Sequence, residues 1–239
     1  MKIAVIQPSF LPWLGYFEQM ALVDLFVYLD DVQYTKQDWR NRNRLKSPSG
    51  VATITVPVQK PKNSRTPINQ VLIAPHPPWR GKLLRQIQSW YAKAPYFDEV
   101  FPALAKILED DQRLLVELNY ALTDFLAKWL GIEVPTRLAS EVPDKAADKN
   151  QKLIDICRHF GADLLYDGQS ARNFIDLELF ARHGIQVVFQ DYRHQPYPQL
   201  WGDDFVSHLS TLDLVMNCGA GSREVLLASP RPPELEEAP

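Results

Sequence analysis

Two adjacent carboxylates, Asp30 and Asp31, close an apolar run, Leu25–Leu29, and a cluster of cations follows them at once. Neighbouring negative charges raise one pKa or recruit a cation, so such a pair suits a general base or an Mg²⁺ site. From Lys36 to Lys46 five Lys or Arg side chains stand against one acid, a local +4 in a chain of formal net charge −3. Arg40, Asn41, Arg42, Asn43 and Arg44 alternate guanidinium forks with amides. On an extended segment the three arginines share one face, a geometry that suits phosphate or carboxylate. Gln33 and Lys36 join this group as candidate substrate contacts.

Other groups begin where an apolar run ends. Gln7 closes the first run, and a loop stiffened by Pro8 and Pro12 leads through Gly15 and Tyr16 into a helix. The first N–H groups of a helix lack intrahelical partners and can hold an anion, which makes Gln7 and Tyr16 candidate ligand contacts. Tyr166, Asp167, Gly168, Gln169 and Ser170 form a second strand end, where Gly168 permits close backbone approach and Ser170 can cap a helix. Taken alone, that segment reads as a turn. His194 lies among Tyr192, Gln195, Tyr197 and Gln199, and its unperturbed pKa near neutrality makes it an acid–base candidate. Tyr197, Gln199 and Asn217 are further candidate contacts, whereas Ser210 and Asp213 read as a capping box rather than a nucleophile and its partner. No pair of histidines has metal-ligand spacing. Cys157 reads as core, and with Cys218 it makes neither a disulfide framework nor a CxxC pair.

These groups need elements to position them. Lys2–Gln7, a breaker-rich loop, a helical stretch over Tyr16, Met20 and Val23, then Leu25–Leu29 make a strand–loop–helix–strand unit. Val51–Val58 reads as a strand with Asn69–Ile73 as its partner, and Lys60–Pro67 as a mobile surface loop. Apolar residues then recur at three and four from Pro78 to Leu130, which predicts a helical insert of two or three long helices closed by Gly131. After the linker Glu141–Lys149 the pattern returns to helix Gln151–Phe160, strand Ala162–Tyr166, helix Asn173–Arg182 and strand Ile185–Phe189. Two short helices follow, Thr211–Asn217 and Ser222–Ala228. The expectation is one α/β domain over 1–229, a mainly parallel Rossmann-like sheet with flanking helices and an insert at about 78–130. The Pro- and Glu-rich tail from 230 to 239 is expected to be disordered.

Composition bounds the function. The chain has 239 residues, 46% hydrophobic and 23% charged, which is ample for a core. A slightly acidic balance argues against coating nucleic acid. No apolar stretch approaches the ~18 residues of a membrane span, and the first apolar run is too short for a signal peptide. The expected compartment is the cytoplasm.

Read together, several segments resemble the WbqC-like family. They are Gln7-Pro8 with Phe10, Pro12 and Gly15-Tyr16; Asp31–Tyr34; Arg42–Arg44; Val56–Val58; Trp79; Leu118-Asn119; and Gly161–Asp163. Tyr192 with His194, Tyr197 with Gln199, and Leu209-Ser210 through Asn217–Gly219 complete the set. The resemblance runs from about Met1 to Gly219, with one departure: Asp167 stands where the family is expected to carry Ser. It implies a bacterial surface-polysaccharide context and transfer of an amino acid, glycine, to an amino sugar of the O-antigen. Forming an amide requires an activated acyl group, and an ATP route would call for a phosphate loop and Mg²⁺. Trp13–Tyr16 also occupies the place of the H-x-G-H motif of nucleotidylyltransferases, with both histidines replaced. The leading expectation is therefore a cytoplasmic acyl or aminoacyl transferase acting on a nucleotide- or lipid-linked sugar. In that reading Asp30, Asp31 and His194 do acid–base work and Arg40, Arg42 and Arg44 bind the anion. A non-catalytic ligand-binding or assembly protein and a degenerate nucleotidylyltransferase-like enzyme are the alternatives.

Overall fold

The computed structural model describes residues 1–61, 63 and 65–236. Residues 62 and 64 of the expected loop and the last three residues of the expected tail lie outside the described residues. Five short strands form one parallel sheet: β1 (Lys2–Ile6), β2 (Leu25–Tyr28), β5 (Thr136–Leu138), β6 (Leu164–Asp167) and β7 (Gln186–Phe189), in the order β5-β2-β1-β6-β7. The register pairs Ile3 with Leu25 on one side of β1 and with Leu165 on the other. A parallel sheet must be covered on both faces, and the two-residue period of each strand supplies both. Ile3, Val5, Leu25, Val27 and Leu165 pack on one face against α5 (Lys149–Phe160) and α6 (Leu177–Arg182). Ala4, Phe26, Tyr28, Leu164 and Tyr166 point the other way, onto α1 (Leu14–Ala21) and the helices of the insert. The result is the expected α/β sandwich of Rossmann type.

The insert is three helices, α2 (Arg80–Tyr91), α3 (Phe97–Glu109) and α4 (Leu115–Trp129). Gly131 stops α4 at φ +60: its N–H reaches the Lys128 carbonyl and Ile132 N–H reaches that of Ala127. A side chain with Cβ strains at such a left-handed φ, so glycine is the fitting residue there. Helices α7 (Thr211–Cys218) and α8 (Ser222–Leu227) close the layer, with Leu212, Val215 and Leu226 fully buried. Among the described residues no helix is long and apolar enough to cross a membrane.

Two expectations need correction. The strand read at Val51–Val58 is β4 (Gly50–Thr55), and its partner is β3 (Arg42–Ser47), antiparallel, with Arg42 opposite Thr55 and Ser47 opposite Gly50. Ile73 meets Val58 in one isolated bridge only. The hairpin forms because Gly50, at φ +100, lets Pro48 and Ser49 make a tight turn. At the chain's end, Pro233–Leu235 is a turn of 3-10 helix, and Leu235 buries itself in the core, so the expected disorder does not begin at 230.

Candidate functional site

Strand β1 is flanked by β2 on one side and β6 on the other, so the loops after β1 and β6 leave toward opposite faces of the sheet. Such a switch point opens a crevice at the carboxyl ends of the strands. A cavity of about 950 Å³ lies there, bounded by Gln7, Ser9 and Trp13 after β1, Asp31 and Gln33 after β2, Asp167–Ala171 after β6, and Gln190–Tyr192 after β7. Its size is that of a ligand larger than a single amino acid.

The first wall is aromatic. Trp13 stacks on His208 with ring centres 5.6 Å apart and 15° between planes, and meets Tyr192 edge-on at 5.7 Å. His194 sits behind this pair, 5.5 Å from Trp13 and 4.3 Å from His208. Burial, and then the neighbouring His208, push the His194 imidazole down to about 4, so it is neutral at pH 7. His194 supports the wall from outside the set of cavity-lining residues. Trp39 and Phe174 also line the cavity and remain more than two-fifths exposed, offering apolar planes at its rim.

Cations form the second feature. Arg40 turns inward from the loop before β3 and donates to Ser9 Oγ at 2.6 Å and to the Gln7 carbonyl at 3.4 Å. Asp38 stands 3.9 Å from its Nε, and Asn119 holds the Arg40 carbonyl at 2.9 Å. Lys149 and Lys152 face the cavity from the first turns of α5, and the Lys149 ammonium lies 5.6 Å over the Phe174 ring. Gln33 and Asn43 line the same space, although Asn43 spends its amide on the carbonyls of Phe10 and Leu11.

The carboxylates divide sharply. Asp30 is 2% exposed and takes Ser140 N–H at 2.9 Å, Ser140 Oγ at 2.7 Å and Asn69 Nδ2 at 3.4 Å. It ties β2 to the segment after β5, so it does not serve as the expected base or as half of an Mg²⁺ site. Asp31 does line the cavity, where Lys145 pairs with it at 3.2 Å. Among the described residues no group of three or more His, Cys, Asp or Glu side chains is placed to hold a metal ion. Asp167, at the end of β6, reaches the cavity half-buried; Gly168 N–H holds its Oδ1 at 2.7 Å, and burial pushes the carboxyl up to about 7. A carboxyl so poised in a cleft can take or give a proton near neutrality.

Several sequence-predicted contacts lie elsewhere. Arg42 and Arg44 share the outer face of β3, where Arg44 lies 5.2 Å over the Trp39 ring, so Arg40 parts company with them and no three-arginine face forms. Asn41 is buried and holds the Val56 carbonyl at 2.8 Å, and Lys36 is exposed outside the cavity. Tyr16, almost fully buried, lines the cavity. Tyr197 and Gln199 instead donate to Asp213, at 2.9 and 3.1 Å, beside Tyr91 at 2.6 Å. Asn217 donates to the Asp213 carbonyl one helical turn back. Ser210 is the expected N-cap of α7, at 3.2 Å from Leu212 N–H, but Asp213 turns away from it into this buried cluster and completes no capping box. Sequence reasoning missed Lys149, Lys152, Gln19 and Gln190. Of these only Gln190 carried a signal, its place where a strand ends at the cavity, which it shares with Gln7 and Asp167.

A sequence model of the WbqC-like protein family matches residues 7–225, which include every strand of this site except β1. The chain belongs to that family. A relative in Mycobacterium tuberculosis, described as the uncharacterized protein Rv1507c, is 39% identical over 228 residues, covering 94% of this chain and 97% of its own. No solved structure matches. The alignments therefore reach from the β1 loop through the Lys149–Lys152 turn to α8, and leave the chemistry to be argued from the cavity itself.

Proposed function

We propose that this WbqC-like protein is a cytoplasmic transferase that binds a nucleotide-linked sugar and moves an activated acyl or aminoacyl group, such as glycyl, onto an amino sugar destined for a bacterial surface polysaccharide. The observation that supports this best is the pairing, in one 950 Å³ switch-point cavity, of the cations Arg40, Lys149 and Lys152 with the exposed planes of Trp39 and Phe174. A nucleotide-linked sugar carries phosphate for the first group and rings for the second. In the transfer the amine nitrogen attacks the acyl carbon of an activated ester, the N–C bond forms as the C–O bond breaks, and the leaving oxygen departs with the electron pair. The amine must shed a proton, and a cavity carboxylate is the group to receive it.

The test is a thermal-shift screen of the purified protein against UDP, UDP- and dTDP-sugars, free amino acids and ATP, each with and without Mg²⁺. A native-state ligand at a hundred times its Kd stabilises by about 2.7 kcal/mol. Stabilisation by nucleotide-sugars is the expected result. Stabilisation by ATP with Mg²⁺ and release of pyrophosphate would replace this reading with a nucleotidylyltransferase. Silence from every nucleotide would leave a binding or assembly role in its place.

A further inference from the structure

Resting on the reading above, we propose that Asp167 is the catalytic residue that takes the proton from the acceptor's ammonium group, and that Gln19 fixes the direction from which that group is held. At the cavity floor Gln190 is wedged between acceptors. The Gly15 carbonyl can only accept, so the Gln190 atom 2.6 Å from it is Nε2, which also reaches Glu18 Oε2 at 2.6 Å. Glu18 in turn holds the Tyr166 hydroxyl at 2.9 Å. With Nε2 so committed, Gln190 Oε1 must face Gln19 and accepts from its Nε2 at 2.8 Å. The polarity passes on: Gln19, 4% exposed and lining the cavity, has its Oε1 left as an acceptor with no partner among the described residues.

The second acceptor belongs to Asp167, which lines the same cavity. A Cβ placed on Gly168 would stand 3.6 Å from Gln19 Nε2, so the turn after Asp167 runs beside the Gln19 amide with no side chain between them. Gly168 N–H occupies Asp167 Oδ1, and Oδ2 accepts no hydrogen bond from the described residues. Two unfilled acceptors on the floor, with Lys149 and Lys152 across the same cavity, are complementary to a molecule carrying N–H donors at one end and anionic charge at the other.

An ammonium supplies those donors. It gives one hydrogen bond to Gln19 Oε1 and one proton to Asp167 Oδ2, leaving a neutral carboxylic acid and an amine whose lone pair is free to attack. Asp31 is less suited to the task because Lys145 already pairs with it. Cys157 on α5 feels the charge of Asp167, and Lys149 and Lys152 on α5, Asp31 after β2 and Asp191 after β7 line the same cavity. Burial dominates over all of them in placing the carboxyl near neutrality.

The test compares UDP-glucosamine with UDP-glucose by calorimetry, at about pH 6 to 9, in the wild type, Asp167→Asn, Gln19→Met and Arg42→Ala. The two sugars differ at one donor group. We expect the amine to bind about tenfold tighter above pH 7 in the wild type and in Arg42→Ala, and the preference to vanish in the other two. In parallel, the Asp167 carboxyl, followed by carbon NMR, should titrate near neutrality and move down when UDP-glucosamine binds. Equal affinity for the two sugars, or a preference that survives Asp167→Asn, would overturn the assignment. If no nucleotide-sugar binds, the function proposed above fails, and free glucosamine against glucose then decides this one. A carboxyl that responds to glucosamine alone supports it, and a carboxyl blind to both refutes it.

Discussion

The indole of Trp13 lies directly across Gly15: a Cβ on residue 15 would stand only 2.2 Å from the ring. Glycine at this position is thus a packing requirement, because it lets the indole fold over the start of α1 and present its face to His208. The loop after β1 owes its shape to a missing methyl group.

Gly15→Ala should therefore cost about 1–3 kcal/mol, the range for overpacking a tight site. The larger effect is local, since Trp13 must leave its stack. Denaturant unfolding measures the first, and a red shift of tryptophan emission with weakened ligand affinity reports the second. An unchanged emission spectrum would contradict this account.

Tyr197→Phe removes a hydrogen bond to the fully buried Asp213 carboxylate and should cost about 1.5–3 kcal/mol. Ligand affinity should stay as it was, because Tyr197 lies outside the cavity. A loss of affinity with intact stability would return Tyr197 to the binding site.

Lys152→Ala should weaken UDP binding by ~1 kcal/mol, about fivefold, and the effect should fade with added salt. Arg44→Ala should change it by less than ~0.5 kcal/mol, since its guanidinium sits on Trp39 outside the cavity. Calorimetry at two ionic strengths checks both.

Two groups should give stability opposing pH slopes over the same window, which offset each other in the wild type. His194 is pushed down to about 4 in the native state, so stability present above the free imidazole value near ~6.5 is lost as pH falls toward 4. His208, also lowered by burial, acts in the same direction. Asp167 is raised to about 7, so the native chain keeps a proton the unfolded chain has lost, and stability falls as pH rises from ~4 through 7. Unfolding midpoints across this range should show His194→Phe unmasking a loss of stability as pH rises and Asp167→Asn unmasking a loss as pH falls. Slopes unaltered from the wild type in both variants would refute the assignment of these two effects.

The sheet was legible because its strands alternate between two apolar faces, and the end of the insert because Gly131, at φ +60, closes its last helix. The hairpin strand β3 was not, since Arg42-Asn43-Arg44-Leu45-Lys46 has the composition of a solvated loop. Its buried polar atoms find partners far along the chain: Asn43 at Phe10 and Leu11, Lys46 N–H at the Tyr91 hydroxyl, and Lys46 Nζ at the Asp204 carbonyl. Local pattern carries no trace of such partners. The same holds for the site. Gln7, Arg40 and Asp31 were found because they sit at strand ends or in unusual charge runs, whereas Lys149 and Lys152 look like any exposed helix lysines until α5 is docked.

The two ends of the chain are stitched to the hairpin, to the loop before it and to each other: Ser210 N–H binds the Arg44 carbonyl, Phe10 N–H the Trp39 carbonyl, and Thr211 N–H the Pro12 carbonyl. Segments some two hundred residues apart in sequence must therefore meet before Trp13 and His208 can stack. Contacts of such sequence separation form late and slowly, because the entropy of loop closure precedes any reward. A nascent or truncated chain that has folded only its β1–α1–β2 unit has no closed wall and no ligand site. Ligand affinity thus doubles as a reporter of complete folding, and a bound ligand acts as a clasp that draws the first and last thirds of the polypeptide together.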